Sequence, residues 1–259
     1  MEYGKGKLQM SDKVVYMINV THDERSRSQK YEWSIKSWAK WCDRNSVELF
    51  VHEEPMTDLN IMQPQWYKIF IFELLKNSGL EPKQILYVDS DTIVHPDAPN
   101  FFNMREAKKF CAVPCYGSMD WVMRSIEVYS KVVFDGFDFG DYWTYFNTGF
   151  MMFQQGHKDL FDSMIEWYDH NQQSLNMVQQ NYSVGKDQPV INFFIKDLEV
   201  PINLLPYEYN MQDMMRFEVL GKDMLHTKYG WVYHFNAGVK PSPGVWLENT
   251  YKFLYDNIV

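Results

Sequence analysis

Residues 14–20, VVYMINV, and 85–94, ILYVDSDTIV, are apolar on both sides of an extended chain and rich in β-branched residues. Strands of that kind are buried on both faces, which requires a sheet covered by helices above and below. The intervening sequence supplies the cover. From Gln29 to Arg44 the apolar residues Tyr31, Ile35, Trp38 and Cys42 recur at three and four positions, the stripe of an amphipathic helix, and VELFVHEE then reads as a second strand. Residues 66–77, WYKIFIFELLKN, predict a helix by their length, stopped at Gly79. This alternation predicts an α/β fold with a mostly parallel, doubly wound central sheet.

Further along, FCAVPCY and FNTGFMMFQ read as strands, and the segment between them, with the aromatic and acidic cluster DGFDFGDYWTYF, has no clear period. Residues 158–170 carry Leu160, Phe161, Met164, Ile165 and Tyr168 on one helical face, and DQPVINFFI starts a further helix with Pro189 in its first turn. Prolines 201, 206, 241 and 243 predict a loop-rich C-terminal third that wraps the sheet. No repeat or linker composition interrupts the chain, which predicts one domain over residues 1–259.

Composition narrows the class. With 46% hydrophobic and 23% charged residues the chain is not intrinsically disordered, and 17% aromatics point to amphipathic binding surfaces. Its 25 basic and 34 acidic side chains give a net charge of −9, which argues against nucleic acid as the partner. Cys42, Cys111 and Cys115 lack the pairing of a zinc site and read as reduced thiols. MEYGKGKLQMSDK has no apolar h-region and no run is long enough to span a membrane, so a cytoplasmic location and no transmembrane segment are expected.

The chemistry concentrates in Tyr87-Val88-Asp89-Ser90-Asp91. Open α/β sheets bind ligands at the carboxyl ends of their strands, where these acids fall. Alternation along an extended chain aims Asp89 and Asp91 to one side, so that two hard oxygens converge on a divalent cation such as Mg²⁺ or Mn²⁺. A bare pair of this kind also ends strands and caps turns; the surrounding segments decide.

Those segments resemble one family in order. THDER at 21–25, WYKIFIFELL, YVDSDTIV, FNTGFMMF, DQPVIN and HFNAGVKP are together similar to the retaining GT-A glycosyltransferases of family 8, the group of glycogenin and the lipopolysaccharide galactosyltransferases, over residues 21–241. The resemblance implies a GT-A, Rossmann-like fold with a nucleotide-binding half, 1–115, and an acceptor and catalytic half, 116–259. It implies a metal-dependent hexosyltransferase that takes a UDP-sugar as donor and a glycan or other hydroxyl as acceptor. Asp89, Asp91 and His234 would hold Mn²⁺ or Mg²⁺. Thr21, Asp23, Lys68, Ser90, Asn147, Thr148, Gly238 and Lys240 would surround the nucleotide-sugar, and Asp187 and Gln188 would lie beneath the reacting sugar as the catalytic pair. Retention would proceed by same-face displacement or through a covalent intermediate on Asp187 or the Gln188 carbonyl.

The chain departs from the family pattern in places: Arg25 replaces an aromatic, the insert NSGLEPKQ precedes the acid strand, and the glycine of HFNAGVKP comes one position late. The cluster Phe137, Phe139, Tyr142, Trp143 and Tyr145 is the expected acceptor surface. Two other readings stand beside this one, a haloacid dehalogenase-like phosphatase and a catalytically inactive sugar-binding scaffold.

Overall fold

A computed structural model describes residues 12–20, 28–104, 109–212, 214, 223–236 and 241–256. The chain opens with strand β1, Lys13–Ile18, helix α1, Ser28–Asn45, and strand β2, Glu48–His52. A 3-10 turn, Pro64–Phe70, runs directly into helix α2, Ile71–Asn77. Gly79, at φ 76°, ends α2: its N–H bonds the Lys76 carbonyl and the Leu80 N–H reaches back to Leu75, both at 2.9 Å. Strand β3, Gln84–Asp89, follows.

The strand expected through residue 94 is broken. Ser90 and Asp91 form a turn, and strand β4, Thr92–Val94, leaves the main sheet. Strand β5, Phe110–Pro114, precedes helix α3, Met119–Val132, in the stretch without a clear period. Strand β6, Phe146–Gln154, leads to helix α4, Lys158–Asn181, which extends well past the expected end at residue 170. Helix α5, Asp187–Asp197, then strands β7, Ile202–Leu204, and β8, Val232–His234, and helix α6, Pro243–Tyr251, complete the described strands and α-helices.

The central sheet has the order β2-β1-β3-β6-β5-β7. β1 pairs in parallel with β2 and β3, and β5 with β7, while β6 runs against both of its neighbours. Alternate residues of each strand enter opposite layers. Val14, Tyr16, Ile85 and Tyr87 pack with α2 to α5, whereas Val15, Met17, Leu86 and Val88 pack with Trp38 and Trp41 of α1. Burial on both faces explains the unbroken apolar runs in the sequence. A third cluster joins α6 to the small β4-β8 sheet through Ile93, Tyr233 and Trp246.

One irregularity positions the site. Ala112 of β5 pairs with Met151 of β6, yet the next residue, Val113, pairs with Asn147. Residues 148–150 therefore bulge out of the β5 ladder beside the end of β3, and a bulge of this kind re-aims side chains. Most of the aromatic surplus lies in the layers: Trp38, Trp41, Tyr67, Phe101 and Phe110 are fully buried.

Candidate active site

The three metal-ligating candidates meet. Asp89 ends β3, Asp91 lies in the turn, and His234 ends β8 opposite Thr92 of β4. One ligand atom from each lies within 4.8 Å of the others. The convergence expected from strand alternation has a different cause, the turn at residues 90–91. The Thr92 hydroxyl donates to the Asp89 carbonyl at 2.7 Å and accepts from the Trp38 indole at 2.9 Å, while the Phe235 N–H bonds the Asp91 carbonyl. The reversal thus brings Asp91 against His234, whose Nε2 is 3.1 Å from Asp91 Oδ1 and 3.6 Å from Asp89 Oδ2.

A chain of buried amides orients that imidazole. His234 Nδ1 faces Asn210 Oδ1 at 3.1 Å; Asn210 Nδ2 donates to Asn147 Oδ1 at 2.9 Å; and Asn147 Nδ2 donates to Gln188 Oε1 at 3.1 Å. Because the Asn210 amide nitrogen is committed to Asn147, its oxygen must accept the proton of Nδ1. In the neutral imidazole Nε2 then carries the lone pair on the side of Asp89 and Asp91, the tautomer a metal ligand needs. Burial disfavours the imidazolium, but Asp91 and Asp89 outweigh it and raise the His234 pKa above its ordinary value. Asn210, fully buried in YEYN, went unnoticed in the sequence because a single asparagine between aromatics in a loop carries no periodic signal.

Lys68 joins the metal side to the α5 side. Its ammonium lies 3.1 Å from Asp89 Oδ1, 2.9 Å from Asp187 Oδ2 and 3.3 Å from the Thr148 hydroxyl. Burial alone would lower its pKa; Asp187 and Asp89 more than reverse this and keep the ammonium charged. The Thr148 hydroxyl donates to Asp187 Oδ2 at 3.0 Å, and the Tyr87 phenol donates to Asp89 Oδ1 at 2.5 Å. Burial, and then Asp89, push that phenol far above the usual tyrosine range. With His234 neutral, as a metal ligand must be, Asp89, Asp91 and Asp187 against one ammonium leave this centre two negative charges in excess, the charge a divalent cation balances. Donor set, tautomer and charge all fit such an ion.

Asp187 and Gln188 open α5. Asn192 fixes the helix to β6 by accepting from the Phe146 N–H and donating to its carbonyl, both at 2.9 Å. The Tyr129 hydroxyl of α3 donates to the Gly185 and Lys186 carbonyls at 2.8 and 3.0 Å. The segment with no clear period therefore buttresses the predicted catalytic pair.

Two chambers flank Lys68, Asp89 and Asp91. One, of about 180 Å³, is walled by Ile18, Val20, Tyr31 and Pro64 and includes Ser90. The other, of about 530 Å³, holds Asn147, Thr148, Asp187, Gln188 and His234, with Trp121 and Arg124 of α3 on its wall. The aromatic cluster expected at the acceptor surface is elsewhere: Phe139 and Tyr145 are core residues, Trp143 is 72% exposed, and none of the five lines the larger cleft. Sequence reading missed the α3 wall. Thr21, Asp23, Gly238 and Lys240 lie outside the described residues.

A mostly parallel sheet with paired aspartates after an inner strand and a histidine returning beside them is the arrangement of a GT-A glycosyltransferase. The chain belongs to glycosyl transferase family 8, whose model matches residues 10–250. This makes it a glycosyltransferase and excludes the phosphatase reading.

Its fold is similar to that of a glycosyltransferase involved in glycosylation of the major capsid of PBCV-1, with a TM-score of 0.58 at 11% identity over 91% of this chain and 98% of that one. The bifunctional WbbM matches with a TM-score of 0.55 at 13% identity, covering 93% of this chain and 49% of its own. GlyE of Streptococcus pneumoniae TIGR4 gives 0.54 at 14%, covering 95% and 62%. The chain thus spans about half of WbbM and under two thirds of GlyE. No curated protein sequence matches this chain. Among the described residues, no helix is long and apolar enough to cross a membrane.

Proposed function

We propose that the chain transfers a hexose from a UDP-sugar to a hydroxyl of a glycan or similar acceptor, with retention, using Mn²⁺ or Mg²⁺ held by Asp89, Asp91 and His234. The observation that carries this reading is the convergence of those three ligands beside the Lys68–Asp187 ion pair at the carboxyl end of β3. When bound, the divalent cation supplies Lewis-acid stabilisation of the diphosphate leaving group.

The residues divide the remaining work. The smaller chamber, walled by residues from the first 115, takes the nucleotide; the larger, walled mainly by residues beyond 115, takes the sugar and acceptor. This supports the division of the chain at 115/116. Lys68 contributes positive charge where the diphosphate oxygens and the sugar meet. Asn147, held by Asn210 and Gln188, hydrogen-bonds sugar hydroxyls. The Lys68 and Thr148 contacts to Asp187 both fall on Oδ2, which holds the carboxylate in place in the cleft and leaves Oδ1 outside these two contacts. Asp187 or the Gln188 carbonyl stabilises the developing cation or captures it, and the departing phosphate accepts the acceptor's proton. A cytoplasmic setting accords with this reading.

Slow hydrolysis of UDP-glucose or UDP-galactose in Mn²⁺ tests it. Asp91→Ala should abolish the activity, and UDP should raise the melting temperature where GDP does not. Binding without turnover would favour the inactive scaffold, and turnover unaffected by Asp91→Ala would overturn the metal assignment.

A further inference from the structure

The larger cleft contains polar atoms that the chemistry above leaves unused. Gln212 is 1% exposed, lines the cleft, and has a buried Oε1 with no hydrogen-bond partner. Its orientation is settled by its other end: Nε2 donates to the Pro114 carbonyl at 2.9 Å, so a reversed amide would set two oxygens against each other. The unsatisfied atom is therefore an acceptor. Gln65 of the 3-10 turn lines both chambers, and its Oε1 is also buried without a partner. Buried acceptors are normally paired, and exceptions call for an explanation.

We infer that Gln212 and Gln65 are specificity-determining residues that accept hydrogen bonds from hydroxyls of a neutral pyranose ring in the larger cleft. The inference rests on the sugar-transfer reading of this cleft and deepens it by naming the sugar class. A carboxamide oxygen welcomes an O–H and opposes a carboxylate, so rings bearing an uncharged polyol fit and uronic or sialic acids do not. The ring belongs either to the donor or to the acceptor, and hydroxyl donation is common to both.

Probes lacking single hydroxyls separate the sources. Wild type, Gln212→Met and Gln65→Met are assayed with UDP-glucose, UDP-galactose, their monodeoxy analogues and UDP-glucuronate, and in parallel with methyl pyranosides and their monodeoxy forms as acceptors. Wild type should reject one deoxy probe by ~10²-fold or more in kcat/KM, and Gln212→Met should lose that discrimination while falling on the parent sugar by a similar factor. Coupling confined to the nucleotide-sugar series assigns the ring to the donor; coupling confined to the pyranosides assigns it to the acceptor.

Discrimination intact in both variants, or UDP-glucuronate used as well as UDP-glucose, overturns the inference. Gln65→Met removes no hydrogen bond of the described structure, so it reads the same question if Gln212→Met melts early. Saturation-transfer NMR with free methyl pyranosides requires no donor. A folded wild type inert to every nucleotide-sugar overturns the transfer reading, whereas turnover in which both variants keep the discrimination, with pyranoside saturation equally indifferent to both glutamines, overturns this one.

Discussion

Gly149 stands directly against His234: a Cβ on residue 149 would lie 2.3 Å from the imidazole Cε1 and 2.8 Å from Nδ1. The same Cβ would be 2.8 Å from Asp89 Oδ2. The bulge of β6 thus forms the floor of the proposed metal site, and only a hydrogen fits there. Gly149→Ala should displace His234 and weaken Mn²⁺ binding by ~10–100-fold, as loss of ligand orientation does elsewhere. Calorimetric Mn²⁺ titration checks the affinity. Unchanged affinity would show that the floor yields without moving the ligand.

Asn210 governs the proton on His234. Asn210→Ala removes the acceptor for Nδ1 and the donor to Asn147, leaving buried polar groups unmet at a cost of about 1–3 kcal/mol. Mn²⁺ affinity should fall by ~10-fold or more as Nε2 loses its enforced lone pair. Denaturant unfolding and metal titration separate the two effects, and the NMR tautomer signature of His234 reads the cause directly.

Lys68 holds two carboxylates that would otherwise be uncompensated. Lys68→Met should destabilise the metal-free protein by about 3–5 kcal/mol, the usual result of removing one partner from a buried pair. Mn²⁺ should recover part of this loss, because it neutralises Asp89 but not Asp187. The rise in melting temperature on adding Mn²⁺ is therefore expected to be larger in the variant than in the wild type. An equal rise would separate Lys68 from the metal site.

His226 makes stability fall in mild acid. Burial lowers its pKa from 6.5 to about 4, and its Nδ1 has no hydrogen-bond partner. The folded value lies below the unfolded one, so the unfolded chain takes up the proton first as pH falls. The contribution is complete above pH 6.5 and is lost progressively towards pH 4, amounting to at most ~3 kcal/mol. Melting temperatures from pH 7.5 to 4.5 should decline less steeply in His226→Leu. Some slope remains, since burial also lowers the pKa values of His52 and His157.

Much of the fold was legible because period and punctuation are local. The apolar runs of β1, β3 and β6, the α1 stripe, the Gly79 stop and the Asp187 helix start all depend on residues within a turn or two of each other. Helix α3 was not read, although Val122, Ile126 and Tyr129 follow a helical stripe behind a Ser118 cap, because Trp121, Met123 and Val128 interrupt the pattern. The second half of α4 escaped notice for the opposite reason: NQQSLNMVQQN offers only Leu175 and Val178 as buried anchors.

By itself, then, the sequence determined a mostly parallel α/β sheet, the position of two aspartates after an inner strand, and the family to which those motifs are similar. Tertiary structure decided how they work together. Asp91 reaches His234 because β4 leaves the main sheet to pair with β8, not because an extended strand points both acids one way. Lys68, Thr148 and Asp187 come from three separate elements, and Asn210 acts through hydrogen bonds that form only after the loops close over the sheet. Contacts between residues distant along the chain depend on the whole of the packing, and no local period encodes them.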